Sequence, residues 1–331
     1  MNTERPPESL QEAILYFADP DRCLAFMVEL RWPAGVTCPT CGGKEITFLS
    51  TRRLWKCKNR HARQQFSIKV GTIFEDSPIP LQKWLPAMWM IVNCKNGISS
   101  YEVHRALGVT QKTAWFMLHR IRLAMQTSSF QKLGGIVEVD ETWIGGKARS
   151  MNRGRTAKTK TAHKIGPYAR SGRAIVLGML ERGGRIALKV VSNVRRNTLL
   201  PHVRDHVEEG TEVHTDSLPS YLGLEERNYE TLGRARYKHK VVDHAVEYVK
   251  GNVHVNGIEN FWSLLKRGIR GTYVSVEPFH LFRYLDEQAL RFNLRKHDGG
   301  DGGRFREVLS DIIGKRLTYS HLTGQDALAT T

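Results

Sequence analysis

The sequence predicts a mixed α/β domain behind a small cysteine-bearing module and a helical region. From Ile136 onward the chain runs through stretches of β-formers, IVEVDETWIGG, AIVLGMLERGGRIALKVVSN and TEVHTD, interleaved with helical periods at 195–208, 256–270 and 277–295. Strands with helices packed on them make a mixed α/β layer. Before this, 79–126 keeps a helical period up to a Gly134-Gly135 boundary. Before that, 31–75 is turn-rich and holds three of the five cysteines.

Charge narrows the class of partner. The chain has 331 residues, with 50 Lys and Arg against 33 Asp and Glu, a formal net charge of +17. Such an excess implies a polyanionic partner, nucleic acid first and a membrane surface second. No apolar run reaches about 18 residues, so no spanning helix is expected. The opening MNTERPPESLQE lacks the basic-then-apolar pattern of a secretory signal. A cytoplasmic, nucleoid-associated protein follows, with no membrane partner.

Taken in order, residues 1–30 form a helical segment with apolar positions Leu10, Ile14, Leu15, Phe17, Leu24, Phe26 and Met27. Asp19-Pro20-Asp21 breaks it into two short helices, with Asp21 as N-cap. Residues 31–76 form a metal-stabilised module with strand-like pieces at Ile46–Leu49 and Gln65–Val70. Residues 77–130 are a helical region, 134–300 the α/β domain, and 301–331 a C-terminal helix and a polar tail, frayed after about residue 318. The stretch 146–173 interrupts the α/β pattern. It carries Arg153, Arg155, Lys158 and Lys160 among nine Lys and Arg, with no acid, and reads as a basic loop.

The cysteines point to metal. Their odd number, without a secretory signal, argues against a disulfide framework. Cys38-Pro-Thr-Cys41-Gly-Gly is a knuckle whose glycines relieve the turn that brings two thiolates to one ion. Cys57 and His61 supply a thiolate and an imidazole, completing a tetrahedral zinc site, unless these two are incidental and only the knuckle is real. So small a module has little core, and metal would contribute much of its stability. Cys23 and Cys94 lie in apolar helical patterns and read as core residues.

Residues 98–125, ISSYEVHRALGVTQKTAWFMLHRIRLAM, read as two helices joined by a tight turn. Ser99 or Ser100 caps the first, with Glu102 placed for a capping box. Gly108 suits a left-handed turn position, and Thr110 caps the second helix. Ala114, Met117, Leu118 and Ile121 form its apolar stripe. That leaves Gln111, Lys112, Thr113, Trp115, His119, Arg120 and Arg122 exposed, the first few as a recognition helix presents them to a major groove. The plain alternative is a helical hairpin packed on its neighbours.

Three carboxylates stand where chemistry could use them. Asp140 ends IVEVD and Asp216 ends TEVHTD, each at the C-terminal end of a buried β-run. In NGIENFWSLLKRGIRG, Glu259, Ser263, Lys266 and Arg270 share one helical face while Ile258, Phe261, Leu265 and Ile269 share another. The helix therefore buries one stripe and points Glu259 toward the two aspartates, with Lys266 two turns on, placed to meet a phosphate. Converging carboxylates repel unless cations neutralise them. Oxygen donors select Mg²⁺ or Mn²⁺, and two such ions support in-line phosphoryl transfer. Any one acid among 33 can be merely solvated. Glu138 and Glu141 are neighbours that pattern does not exclude, and Asn256 rivals Glu259 for the third place. Trp143, Trp262 and Tyr273 read as packing residues, and His214 and His244 as structural hydrogen-bonding groups. Lys238-His239-Lys240 reads as a solvated or DNA-facing surface.

With these motifs in hand, the sequence resembles insertion-sequence transposases that combine an N-terminal zinc ribbon with an ISXO-like DDE domain. The matching stretches are CPTCGG, QFSIKVGTIFEDSPIPLQKW, the two-helix stretch above, VEVDETWIGGK, HTDSLPSY, VVDHAVEYV and VHVNGIENFWSLLKRGIRGTYVSVEPFHLFRYLDEQ. They span roughly residues 10–320. The resemblance implies an RNase H-like catalytic fold preceded by a zinc ribbon and a helix-turn-helix. It implies Asp140, Asp216 and Glu259 as the acids, Lys266 as the basic residue, two Mg²⁺ (or Mn²⁺) and one structural Zn²⁺. Relatives often carry CxxC as the second ligand pair; here it is Cys57-x₃-His61, with Arg60 where a cysteine might stand. Some relatives use Asn as the third acid's replacement, which keeps Asn256 in view.

The resulting expectation is an enzyme that binds the terminal inverted repeats of its element and cuts and joins DNA. Its DNA contacts come from Gln111, Lys112, Thr113, Arg120, the basic loop, Arg267 and Arg270, and synapsis of two ends implies a homo-oligomer. A binding-only repressor derived from such an enzyme is the chief alternative, and a nuclease without strand transfer the third.

Overall fold

The structure, a computed structural model, describes residues 6–126, 131–145, 173–225, 236–242 and 253–324. It divides into two units, residues 1–127 with 296–331, and residues 128–295.

The first unit opens with helices α1 (Leu10–Tyr16) and α2 (Pro20–Arg31). The break between them differs in detail from expectation. Asp19, not Asp21, is the cap, accepting from the Asp21 N–H, and Pro20 takes the first helical position, where no N–H is needed. A three-stranded antiparallel sheet follows, β1 (Ile46–Leu49), β2 (Leu54–Cys57) and β3 (Gln65–Phe66). Its middle strand is one that the turn-rich sequence hid, and beyond Phe66 the chain turns instead of continuing as a strand. Trp55 of β2 packs between Trp32, Phe48 and Phe66.

Helix α3 (Leu81–Asn93) is buried at every residue from Trp84 to Val92 and forms the centre of this unit. Helices α4 (Ser100–Leu107) and α5 (Gln111–Ala124) follow. Ser99 and Glu102 make a reciprocal capping box on α4. Gly108 ends that helix in the left-handed region at φ 57°, a conformation that a Cβ penalises. Thr110 caps α5 by accepting from Thr113 N–H.

The second unit is built on a five-stranded sheet of order β6-β5-β4-β7-β8. The strands are β4 (Ile136–Ile144), β5 (Ala174–Glu181), β6 (Ile186–Val191), β7 (Glu212–Thr215) and β8 (Lys238–Val241). β4, β5 and β6 form an antiparallel meander, and β7 and β8 extend it in parallel with β4. Lys238, His239 and Lys240 are thus edge-strand residues, and Lys240 Nζ pairs with Glu212 at 2.8 Å.

Period-two alternation sends Val137, Val139, Leu177, Met179 and Val213 to one face of the sheet. There they pack against Leu199, Leu200 and Val203 of α6 (Arg196–His206) and against Tyr221 of the 3₁₀ turn Pro219–Gly223. The other face carries Ile144, Val176 and Leu180. It lies against Ile258, Phe261, Trp262 and Leu265 of α7 (Asn256–Gly271) and against Leu281 and Leu285 of α8 (Leu281–Asn293). The unit is a mixed α/β layer with helices on both sides of the sheet.

The C-terminal stretch belongs to the first unit. In α9 (Gly300–Ser310), Phe305 meets Phe17, Phe26 and Trp89. The expected fraying after residue 318 gives way to a short helix, α10 (Tyr319–Thr323), capped by Thr318. Leu322 is buried there, and Tyr319 sets its ring edge-on to Phe116. Among the described residues no helix is long and apolar enough to cross a membrane.

Candidate active site and metal centre

Asp140 lies in the middle of β4, on the face that α7 covers. β7 runs parallel to β4 with Glu138 opposite His214. Asp216 follows the last residue of β7, two residues beyond that pair. Glu259 stands in the first turn of α7, which packs on β4 and β5. The charges of Asp216 and Glu259 both act on Asp140. Burial and these two neighbours push the Asp140 carboxyl up to about 6, while the Trp262 hydrogen bond pulls the other way.

The surrounding side chains fix this geometry. Trp262 Nε1 donates to Asp140 Oδ2 at 2.8 Å. Gly178 faces Asp140 across the β4–β5 ladder, and a Cβ there would come within 2.5 Å of the Trp262 ring. The glycine therefore makes room for the indole that holds the aspartate.

Glu138 shares Asp140's face but is only 1% exposed. Its Oε2 accepts from the Ile258 N–H at 2.9 Å. Its Oε1 accepts from Arg182 Nε at 3.1 Å, and His254 Nδ1 lies at 3.4 Å. Helix α7 has no side-chain cap of its own, since Val255 stands at its N-cap. Glu138 satisfies one of the orphan amides from the neighbouring strand.

Glu141 points to the opposite face, where its Oε2 accepts from the Tyr221 hydroxyl at 2.7 Å. Burial pushes its carboxyl up to about 7; the Tyr221 bond opposes this, and the charges of Asp216 and Asp140 add to it. Asp216 Oδ1 in turn accepts from the Leu218 N–H at 3.1 Å, just ahead of the turn that carries Tyr221.

Of the other expected residues, Lys266 is half-buried on α7, and Arg267, Arg270 and Asn256 are exposed on the same helix. His214 is fully buried and engages Glu212 through Nε2 at 2.7 Å. Trp262 is buried as expected of a packing residue, whereas Trp143 is 46% exposed. Arg153, Arg155, Lys158 and Lys160 of the basic loop, and His244, lie outside the described residues.

On α5, Lys112 is exposed, and Gln111 donates to Ser100 Oγ at 2.9 Å. Arg120 corrects the sequence reading. It is 5% exposed and donates to the carbonyls of Leu317 at 3.0 Å and Glu75 at 2.8 Å. The C-terminal chain covers this side of α5, and His119 and Arg122 are buried with it. Arg120 is a structural cation, not a surface one.

The second centre lies in the three-stranded module. The ligand atoms of Cys38, Cys41, Cys57 and His61 all fall within 4.8 Å of one another. Cys38 Sγ is 3.4 Å from His61 Nε2, and Cys41 Sγ is 3.7 Å from Cys57 Sγ. Gly42, at φ 69°, turns the knuckle, and the Cys38 N–H donates to the Gly43 carbonyl. The Gly43 backbone amide, and then Asn59, hold the Cys41 thiol below its ordinary range, toward thiolate. Three thiols and an imidazole this close fit one tetrahedral zinc.

Sequence reasoning read Trp262 only as packing and left Glu138 and Glu141 as unexcluded neighbours of Asp140, and so missed the contacts these three make. Signals existed for two of them. Gly178 sits in the interior of an apolar strand, which marks a close approach. Val255 leads a helix with no capping side chain, which asks for an outside acceptor.

Two families match the chain. Residues 132–293 match the ISXO2-like transposase domain, and residues 19–61 match the transposase zinc-ribbon domain. The chain is 28% identical to an uncharacterized protein in transposable element ISH50 of Halobacterium salinarum, over 91% of this chain and 98% of that one. It is 32% identical to an uncharacterized transposase-like protein of Haemophilus influenzae, over 31% of this chain and 77% of that one.

Proposed function

Because the chain belongs to the family of insertion-sequence transposases with a zinc ribbon and an ISXO2-like transposase domain, we propose that it binds the terminal inverted repeats of its element. There it catalyses metal-dependent DNA cleavage and strand transfer. The observation that supports this reading is that the charges of Asp216 and Glu259 both act on Asp140, with Glu259 in the first turn of α7 and Asp216 just past the end of β7.

Two half-buried aspartates and an exposed glutamate on the facing helix form a donor set that suits hard divalent cations. Asp140, Asp216 and Glu259 would hold two Mg²⁺ or Mn²⁺. When bound, these ions supply a nucleophile at neutral pH and neutralise charge on the scissile phosphate. The protein's own part is orientation. Trp262 fixes Asp140, and Lys266 lies two turns along α7, where a phosphate of the bound strand meets it. The antiparallel meander extended by two parallel strands supports reading this unit as an RNase H-like catalytic domain.

In the first unit, the four-ligand cluster holds one structural zinc, and α4 and α5 serve as a helix-turn-helix. Gln111, Lys112 and Thr113 at the start of α5 face DNA. The cations of 146–173, Arg267 and Arg270 add salt-dependent phosphate contacts. Bringing two element ends together requires a homo-oligomer, working on DNA in the cytoplasm.

The test is a labelled duplex that carries the element's own end, incubated with Mg²⁺ and a target DNA. Nicking at the end followed by joining, abolished by EDTA and restored by Mg²⁺, supports the proposal. Binding without cutting under any divalent metal favours a repressor, and cutting without joining favours a nuclease.

A further inference from the structure

Glu138 and Glu141 flank Asp140 in β4 and point to opposite faces of the sheet, yet Glu138 ends on the helix that carries Glu259 and Glu141 on the turn that follows Asp216. Glu138 Oε2 accepts from the Ile258 N–H at 2.9 Å, one residue before Glu259. Glu141 Oε2 accepts from Tyr221 Oη at 2.7 Å, in the turn that follows Asp216. Neither glutamate is exposed to solvent beyond 9%.

The anchoring of Glu138 is reinforced from behind. Arg182 binds its Oε1 and also donates from Nη2 to the His254 carbonyl at 3.1 Å, so the chain entering α7 is tied at two points. The fit is close. A Cβ on Gly257 would come within 2.7 Å of Glu138 Oε2 and 3.0 Å of Leu180 Cδ2. On the other face, Tyr221 is fully buried among the residues beneath α6, and Asp216 Oδ1 closes the same segment onto Leu218 N–H. Glu138, buried and bonded through both oxygens, has little capacity left for an ion or a substrate.

We infer that Glu138 and Glu141 are positioning residues, which fix Glu259 and Asp216, respectively, against the strand that carries Asp140. The short segment Glu138-Val-Asp140-Glu141 thereby places all three acids: one directly, one through the first turn of α7, and one through the turn after β7. The inference rests on the proposal that Asp140, Asp216 and Glu259 are the catalytic acids. It differs from a ligand or proton-transfer role in one chemical respect. Glu141 as a positioning residue needs one acceptor oxygen, which an amide also has, whereas a ligand or base needs the charge; Glu138 accepts through both oxygens, so an amide there keeps one bond and turns its NH₂ on the other donor.

The experiment compares Glu138→Gln, Glu138→Ala, Glu141→Gln, Tyr221→Phe and Asp216→Ala in the full-length protein. Four readouts are taken: end-DNA binding, thermal unfolding, Mn²⁺ binding by calorimetry with the metal alone, and turnover on end DNA. Glu141→Gln is expected to stay within several-fold of wild-type turnover, and Glu138→Gln, which keeps one of its two acceptors, to fall about tenfold. Tyr221→Phe, which removes one hydroxyl, and Glu138→Ala are expected to lose about a hundredfold in turnover, the scale of a displacement near 1 Å. End-DNA affinity is expected unchanged, and Mn²⁺ binding weakened. Should Glu138→Ala fail to fold, because Arg182 loses its partner, Tyr221→Phe still decides for its half and Glu138→Gln for the other. The inference is overturned if Tyr221→Phe or Glu138→Gln turns over like wild type, or if Glu141→Gln is as inactive as Asp216→Ala. A fully active Asp216→Ala would instead overturn the underlying assignment of the acids.

Discussion

The indole of Trp262 donates its N–H to Asp140 at 2.8 Å, from the second turn of α7 to the centre of β4. This one bond joins the helix that carries Glu259 to the strand that carries the first acid. It also holds the Asp140 carboxyl lower than burial alone would leave it.

Trp262→Phe keeps most of the apolar contact and removes the donor. The Asp140 carboxyl should then rise above its present value of about 6. Turnover is expected to fall several-fold at pH 7 and to recover as pH rises. Stability is expected to drop by about 1–3 kcal/mol from lost volume and the lost bond. A pH–rate profile and a thermal melt check both; an unchanged acid limb would count against the bond's role.

The raised carboxyls also set a direction for stability. Asp140 and Glu141 titrate at about 6 and about 7 in the folded chain, above their ordinary values of 3.8 and 4.5. Between pH 4 and 7 the folded state therefore binds more protons than the unfolded one, so stability falls as pH rises through that window. Metal-free protein should melt at a lower temperature at pH 7.5 than at pH 5.5, and Glu141→Gln, which removes one of the two raised groups, should shrink that difference. Mg²⁺, which favours the ionised carboxylates, should raise the melting temperature more at pH 7.5 than at pH 5.5. Differential scanning calorimetry at the two pH values, with and without Mg²⁺, checks the sign.

Zinc removal should act locally. With Cys38, Cys41, Cys57 and His61 gathered within 4.8 Å, one zinc per chain is expected by elemental analysis. Structural zinc binding is worth about 10–16 kcal/mol in small metal domains at pH 7, so Cys57→Ser or chelation should unfold the ribbon and expose it to protease. His61→Cys should retain the zinc, because a fourth thiolate satisfies the same tetrahedral site. Loss of metal in His61→Cys would contradict this ligand set.

Two cations on α5 should behave oppositely. Lys112 is exposed, so Lys112→Ala should weaken end-DNA binding and lower the salt slope by about 1, with little effect on folding. Arg120 is buried against two backbone carbonyls, so Arg120→Ala should cost about 2–3 kcal/mol of stability. Its effect on DNA affinity should follow folding alone.

Arg120 also shows where reading the sequence stops. Helical periodicity placed α4 and α5, the capping box at Ser99 and the turn at Gly108, because these depend on neighbours within a few residues. It counted Arg120 as exposed, because residues near 317 cover that side of the helix, and such coverage leaves no local pattern. The same divide runs through the candidate site. Asp216 just past its strand and the amphipathic helix of Glu259 were legible from period and position, whereas Asp140, read as ending its strand, lies mid-strand because β4 runs on to Ile144 along β5. The link from Glu138 to Ile258, 120 residues apart, and the bond from Tyr221 to Glu141 depend on sheet register that no local pattern encodes. Strand β2 escaped for a related reason: four residues between turns show no alternation long enough to read.

The most direct test of the central claim is strand transfer by Asp140→Asn, Asp216→Asn and Glu259→Gln, each assayed beside wild type on labelled end DNA with Mg²⁺ at matched occupancy. If the three acids form one catalytic site, each variant binds the end with wild-type affinity and loses cleavage and joining by at least about a thousandfold, with double variants no worse than singles because the acids act as a unit. Wild-type cleavage and joining in any of the three would contradict the assignment of that residue, and in all three the account of this site as a transposase active centre.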